Sequence, residues 1–160
     1  MSENIIEIEI GKTLRERGIY LATAESCTGG MIGQRITAVA GSSDYYLGGI
    51  IAYSNNIKMA LLGVDAALLA EHGAVSASVA ESMAQGAIQK FGADLAIATT
   101  GIAGPGGGTD TKPVGLVYIG LSAKNGTSTI QECHFAGNRK EVRMAASQTA
   151  LEMIQRYLDL

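Results

Sequence analysis

The chain has 160 residues, 47% of them apolar and only 17% charged, with a net charge of −3. That length supports one compact domain over residues 1–160, that composition excludes disorder, and the low charge content points to apolar surface covered by a second copy in a homo-oligomer. No Lys/Arg cluster offers the basic stripe of a nucleic-acid binder, and no apolar run approaches the ~18 residues of a membrane span, so neither partner is expected.

The N-terminal "MSENIIEIEIGKTLRERG" has acids where a secretory signal carries bases ahead of an apolar core. Ile5, Ile6, Ile8, Ile10 and Leu14 predict an amphipathic first helix that stops near Gly18. "IYLATA" reads as a buried strand. After "TAESCTGG", the spacing of Met31, Ile32, Ile36 and Val39 predicts a second helix. "GGIIAYS" is a second short strand, and Ser54 or Asn55 can cap a helix through "NIKMALLGV". "SASVAESMAQGAIQKFG" is a helix with a serine cap and a glycine stop.

"ADLAIATTG" is continuously apolar until its end, which predicts a central strand. "IAGPGGGTDTKP" holds both prolines of the chain among several glycines and cannot be regular structure. "VGLVYIGLSA" and "STIQECHF" flank "KNGT", whose Asn-Gly is a strong hairpin signal. A last helix begins about Arg139, with Val142, Ala146, Leu151 and Ile154 on its apolar face. Strands alternating with helices and then a hairpin predict one three-layer α/β/α domain. Its sheet is mixed, mostly parallel, with about five strands and a C-terminal hairpin.

Ligands of open α/β sheets bind beyond the carboxyl ends of the strands, where "TAESCTGG", "YSNNIK" and "TTGIAGPGGGT" all fall. In the first segment, Ser26 or Thr28 can cap a helix beginning near Gly29, whose free amides suit an anion or a developing oxyanion. Serine needs a base, and neither histidine is well placed: His72 sits in a loop and His134 in the final strand. Lys58 is therefore the best candidate base, because a desolvated lysine loses its proton more readily. Tyr53 can relay a proton or hold Lys58. Cys27 is a rival nucleophile without a histidine partner, and Glu25 is either a supporting carboxylate or a turn acceptor.

The glycine-rich third segment is neither a P-loop nor a dinucleotide fingerprint. Its amides can approach a ligand closely, and Thr99 and Thr100 can bond one. Arg139 and Arg143, one helical turn apart, can clamp a phosphate. Cys27 and Cys133 make no disulfide framework, and with no signal pattern a reducing cytoplasm is expected. The histidines are far apart and belong to no spaced ligand set, so no metal site is expected.

Taken in order, "TAESCTGG", "AGSSDYYLGGIIAYSNNIK", "LLGV", "HGAVS", "TTGIAGPGGGT", "KPVGLVYIGL" and "GNR" followed by Val142 and Arg143 resemble one family. These are the nicotinamide-mononucleotide deamidases, the stand-alone form of the C-terminal domain of the competence- and damage-inducible protein CinA. The resemblance implies hydrolysis of nicotinamide mononucleotide to nicotinate mononucleotide and ammonia, without metal or other cofactor. It implies Ser26 as nucleophile, Lys58 as general base and Tyr53 as an assisting hydroxyl. Thr28, Gly29, Gly30, Thr100, Gly101, Ile102, Ala103 and Gly104 match the substrate and oxyanion region, and Arg139 and Arg143 the phosphate contact. The competing expectations are a pyridine-nucleotide-binding module without turnover and an oligomerisation domain.

Overall fold

A computed structural model describes residues 5–160. Twelve elements follow in order: α1 (Ile5–Arg17), β1 (Leu21–Glu25), α2 (Met31–Thr37), a 3-10 turn (Ser42–Asp44), β2 (Tyr46–Ile51), α3 (Asn55–Leu62), α4 (Ala66–His72), α5 (Ala77–Phe91), β3 (Leu95–Gly101), β4 (Leu116–Ala123), β5 (Ser128–His134) and α6 (Arg139–Tyr157). The strands form one sheet in the order β2-β1-β3-β4-β5. β1 runs parallel to both β2 and β3, while β4 and β5 are antiparallel additions. This is the single mixed α/β domain that the alternation of elements predicts.

Side-chain size divides the sheet into two faces. Because successive strand residues point to opposite sides, Leu21, Leu95 and Ile97 face one core and Ala22, Ala24, Ala96 and Ala98 the other. The large face packs against Leu14 of α1, Ile32 of α2, and Leu151 and Ile154 of α6. On the small face the alanines let α5 lie close, through Val79, Met83, Ala84 and Ala87. Gly120 in β4 continues this close approach: a Cβ there would stand 2.9 Å from the Ala80 carbonyl oxygen. Helices on both faces give the three layers.

Ser54 caps α3 by accepting the Ile57 amide at 3.2 Å, and Gly63 ends the helix in the left-handed region. Asn138 and Glu141 form a reciprocal capping box on α6. Two local expectations are corrected. "AALLAEH" forms α4, capped by Asp65, so His72 is the last residue of a helix and not a loop residue. Neither Ser26 nor Thr28 caps α2. Its cap position is Gly30, and the Glu25 carboxylate takes the amides of Gly30, Ile32 and Gly33 at 3.2, 3.0 and 3.0 Å. A full negative charge satisfies a helix start better than a hydroxyl, and Glu25 is close enough in sequence to fold back onto it.

The register sets the site. Glu25 at the end of β1 pairs with Ile51 of β2 on one side and Thr99 of β3 on the other. β1 and β2 therefore end level, β3 runs on through Thr100 to Gly101, and the residues at these three neighbouring ends emerge side by side.

Candidate active site

At that edge lies a cleft of about 300 Å³. Ser26 comes from the end of β1, Tyr53, Asn55 and Lys58 from the β2–α3 corner, and Thr100 to Gly104 from the end of β3 and the loop after it. Ala74 and Val75 from the α4–α5 connection and Arg139 at the start of α6 complete its walls. Thr28, Gly29, Gly30 and Arg143 are not among the lining residues.

Lys58 is in the first turns of α3, and the helix points its stem inward, leaving 2% of the residue exposed. Its Nζ donates to Ala52 O at 2.8 Å and lies 3.0 Å from Ser26 Oγ. Burial lowers the Lys58 pKa below its ordinary 10.5, because an ammonium gives up hydration that two acceptors only partly replace. A nearby thiolate at Cys27 would oppose that shift, but burial pushes the Cys27 thiol up to about 11, so at neutral pH it is an uncharged S–H. The Ser26–Lys58 contact thus sets a hydroxyl against an amine whose protonated form burial disfavours. Neutral Nζ can keep donating to Ala52 O while its lone pair accepts from the Ser26 hydroxyl.

The backbone fixes Ser26 as well. Its amide donates to Thr99 O at 3.0 Å, which continues the sheet pairing one residue past β1. Its carbonyl accepts from Gly29 N–H at 3.1 Å, closing a tight turn. Thr28 is fully buried inside that turn, its hydroxyl bonded to Glu25 at 2.6 Å and to Thr99 Oγ1 at 2.8 Å. Cys27 is buried, and its thiol meets Thr99. The amides of Gly29 and Gly30, which sequence reasoning offers to an oxyanion, are thus spent inside the turn on Ser26 O and Glu25.

Tyr53 is 61% exposed, and its OH accepts from Arg139 Nη2 at 2.9 Å. No hydrogen bond joins it to Ser26 or Lys58 among the described residues. Arg139 Nη1 donates to Gly104 O at 2.9 Å, so one guanidinium ties the tyrosine to the glycine-rich loop at the cleft mouth. Arg143 turns away from the mouth toward the Ser26–Gly29 turn, donating to the carbonyls of Cys27 and Thr28 at 3.1 and 3.2 Å. The buried Thr100 hydroxyl donates to Ala74 O at 2.8 Å and so fastens the end of β3 to the α4–α5 connection. Lys112 reaches the His72 carbonyl from the far end of the loop.

The sequence places the segment "YSNNIK" at the ligand edge but gives Asn55 no ligand role, and it assigns neither Ala74 nor Val75 to the cleft. Asn55 stands beside Ser54 and Lys58, and its polar side chain at a strand end is the signal that could have found it. Ala74 and Val75 carry no chemical signal. The described residues contain no group of three His, Cys, Asp or Glu side chains able to hold a metal ion. Ser, Lys, Thr, Arg and backbone amides in the cleft suit an anionic, carbonyl-bearing ligand instead.

Sequence and structure comparisons agree on kinship. The model of the CinA C-terminal domain matches residues 3–158. A CinA-like protein of Geobacter sulfurreducens is 52% identical over 156 residues, covering 98% of this chain and 38% of that protein. Another, of Citrifermentans bemidjiense, is 56% identical over 145 residues, covering 91% of this chain and 35% of the relative. The chain thus spans little more than a third of the curated relatives it matches. The crystal structure of the competence/damage-inducible protein CihA from Agrobacterium tumefaciens superposes with a TM-score of 0.95 at 40% identity, covering 100% of this chain and 97% of that one. A CinA superfamily structure from Escherichia coli gives 0.91 at 35% identity, covering 100% of this chain and 91% of that one. With the three strand ends, the cleft and the ordered motifs all in place, this chain belongs to the CinA C-terminal domain family.

Proposed function

We propose that the chain is an amidohydrolase that converts nicotinamide mononucleotide and water to nicotinate mononucleotide and ammonia. The observation that carries the reading is the buried Lys58 Nζ 3.0 Å from Ser26 Oγ, at the floor of a cleft whose mouth holds an arginine.

In this mechanism Ser26 Oγ attacks the carboxamide carbon while neutral Lys58 takes the hydroxyl proton. The C=O electrons move onto oxygen, giving a tetrahedral oxyanion. The C–N bond then breaks as Lys58 returns the proton to nitrogen, releasing ammonia and leaving an acyl ester on Ser26. A water molecule, deprotonated by Lys58, attacks that ester, and nicotinate mononucleotide leaves as Ser26 regains its proton. The 5′-phosphate lies toward Arg139 and the amides of the glycine-rich loop, so binding far from the reacting carbon positions it. Tyr53, held by Arg139, lies against the nucleotide at the mouth. Its hydroxyl serves placement of the substrate and not the first proton transfer.

The test is ammonia release from nicotinamide mononucleotide by wild type, Ser26→Ala and Lys58→Met. Wild type is expected to turn over in the presence of a chelator, since the cleft donors are poor metal ligands. Ser26→Ala and Lys58→Met are each expected to lose at least about 10²-fold in kcat with their melting temperatures preserved. Saturable binding of the nucleotide by wild type with no ammonia formed would mean a binding module. Full activity in Ser26→Ala would remove the nucleophile.

A further inference from the structure

Arg143 is one helical turn beyond Arg139 on α6, yet the two guanidinium groups serve different places. Arg139 lines the cleft, whereas Arg143 donates from Nε to Cys27 O at 3.1 Å and from Nη2 to Thr28 O at 3.2 Å. A phosphate would have to compete with both of these bonds. The consequence for the turn follows from peptide geometry. Across a trans peptide the N–H points opposite to the C=O, and the one cis bond among the described residues is Gly104–Pro105. Holding the Cys27 carbonyl on the α6 side therefore turns the Thr28 amide to the other side. The Ser26 carbonyl is held by Gly29 N–H, which turns the Cys27 amide away from it in the same manner.

These two amides differ from the next in line. Gly29 N–H is bonded to Ser26 O, and the amides of Gly30, Ile32 and Gly33 go to Glu25. The Thr28 amide has no acceptor among the described residues, and the Cys27 amide meets only its own thiol. Both directly follow Ser26 in the chain. The guanidinium on the Cys27 and Thr28 carbonyls polarises the Cys27–Thr28 and Thr28–Gly29 peptides, and the Gly29 N–H so strengthened holds the Ser26 carbonyl, whose peptide carries the Cys27 N–H. Gly29 leaves room for this: its φ is +59°, and a Cβ there would stand 3.0 Å from Arg143 Nη2.

We infer that Arg143 is a positioning residue, which locks the Ser26–Gly29 turn so that the amide of Cys27, the residue that lines the cleft beside Ser26, receives the oxyanion formed when Ser26 attacks. The inference rests on the amidase reading for the nucleophile but not for the substrate. It departs from a phosphate role for Arg143.

The test compares wild type, Arg143→Gln and Arg143→Lys on three probes: nicotinamide mononucleotide, its phosphate-free riboside, and 4-nitrophenyl acetate. With the ester, Ser26 Oγ bonds to the acetyl carbon and 4-nitrophenolate leaves, so the burst of nitrophenolate reads acylation alone. Arg143→Gln is expected to lower kcat on nucleotide and riboside alike, by about 10²-fold, with KM changed less than about twofold, and to slow the ester burst in parallel. Arg143→Lys, which keeps the charge and loses the fork, is expected to recover part of the rate. It also carries the comparison if Arg143→Gln does not fold by circular dichroism. A rise in KM for the nucleotide alone, with riboside and ester rates unchanged, overturns the inference in favour of a phosphate contact. Unchanged kinetics on all three also overturn it. If wild type gives an ester burst but no ammonia from the nucleotide, the substrate reading falls while the burst still decides the role of Arg143. If it gives neither, both fall.

Discussion

An ammonium withdrawn from water favours the state in which it has lost its proton, and Lys58 is in that position. In the unfolded chain it titrates near the ordinary 10.5, and in the folded protein below that. Between the two values the unfolded chain binds more protons, so stability is expected to rise with pH across that window. The penalty for the buried charge is complete below the folded value and gone above the unfolded one. In the proposed mechanism the same downward shift makes Lys58 available as the base at lower pH. The profile of log kcat/KM is expected to climb to an alkaline plateau whose half-point lies below 10.5, as steady-state ammonia release over a pH series will read. A half-point at or above the ordinary lysine value would mean that Lys58 is not the group being titrated. Cys27 offers no competing nucleophile at neutral pH, because its thiol, pushed up to about 11, remains protonated.

Lys58 is only as well placed as the helix that carries it. α3 is eight residues long, too short to stand by propensity alone, so its cap and its packing decide its position. Ser54→Ala removes the hydroxyl that accepts the Ile57 amide and is expected to cost about 1 kcal/mol. Gly86 of α5 lies against the end of the same helix, where a Cβ would sit 1.9 Å from the Leu62 carbonyl oxygen. Gly86→Ala therefore forces α3 and α5 apart and is expected to cost about 1–3 kcal/mol, read by urea denaturation. It is also expected to lower kcat more than Ser54→Ala does, since the shift moves Lys58 relative to Ser26. The β2–α3 corner was legible in advance as a strand end followed by a capped helix. α4 was not, because seven residues, five of them a run of alanine and leucine, carry too little periodicity to stand out from a loop.

At the scale of the whole molecule, a net charge of −3 opposes the approach of the anionic nucleotide proposed as substrate, so the proposal requires local attraction. Arg139 at the mouth and Lys58 at the floor are the two cationic side chains lining the cleft. Salt weakens contacts at an exposed mouth more than those within a buried floor. KM for nicotinamide mononucleotide is therefore expected to rise with ionic strength, and that dependence is expected to flatten in Arg139→Gln. The phosphate-free riboside is expected to show little of it in either protein. An equal salt dependence for riboside and nucleotide would place the phosphate elsewhere.

Local chemistry alone determines much of this protein. Side-chain alternation, glycine stops, serine caps and one Asn-Gly turn specify the helices and strands that matter. The order of those elements specifies a three-layer mixed sheet whose strand ends carry Ser26, Tyr53, Lys58 and Thr100. These follow because each depends on residues a few positions apart. Tertiary structure decided which of the polar groups at those ends meet. Thr28 looked like a cap or a ligand group, yet it is sealed beneath the Glu25 carboxylate, which closes the start of α2 as the turn acceptor the sequence offered. Arg139 and Arg143 looked equivalent at one-turn spacing, and the packing of α6 across the sheet sent one to the cleft mouth and the other to the Ser26–Gly29 turn. Spacing along a helix gives direction only relative to its own axis. Where that axis lies is set by the large face of the sheet, through contacts between residues far apart in the chain.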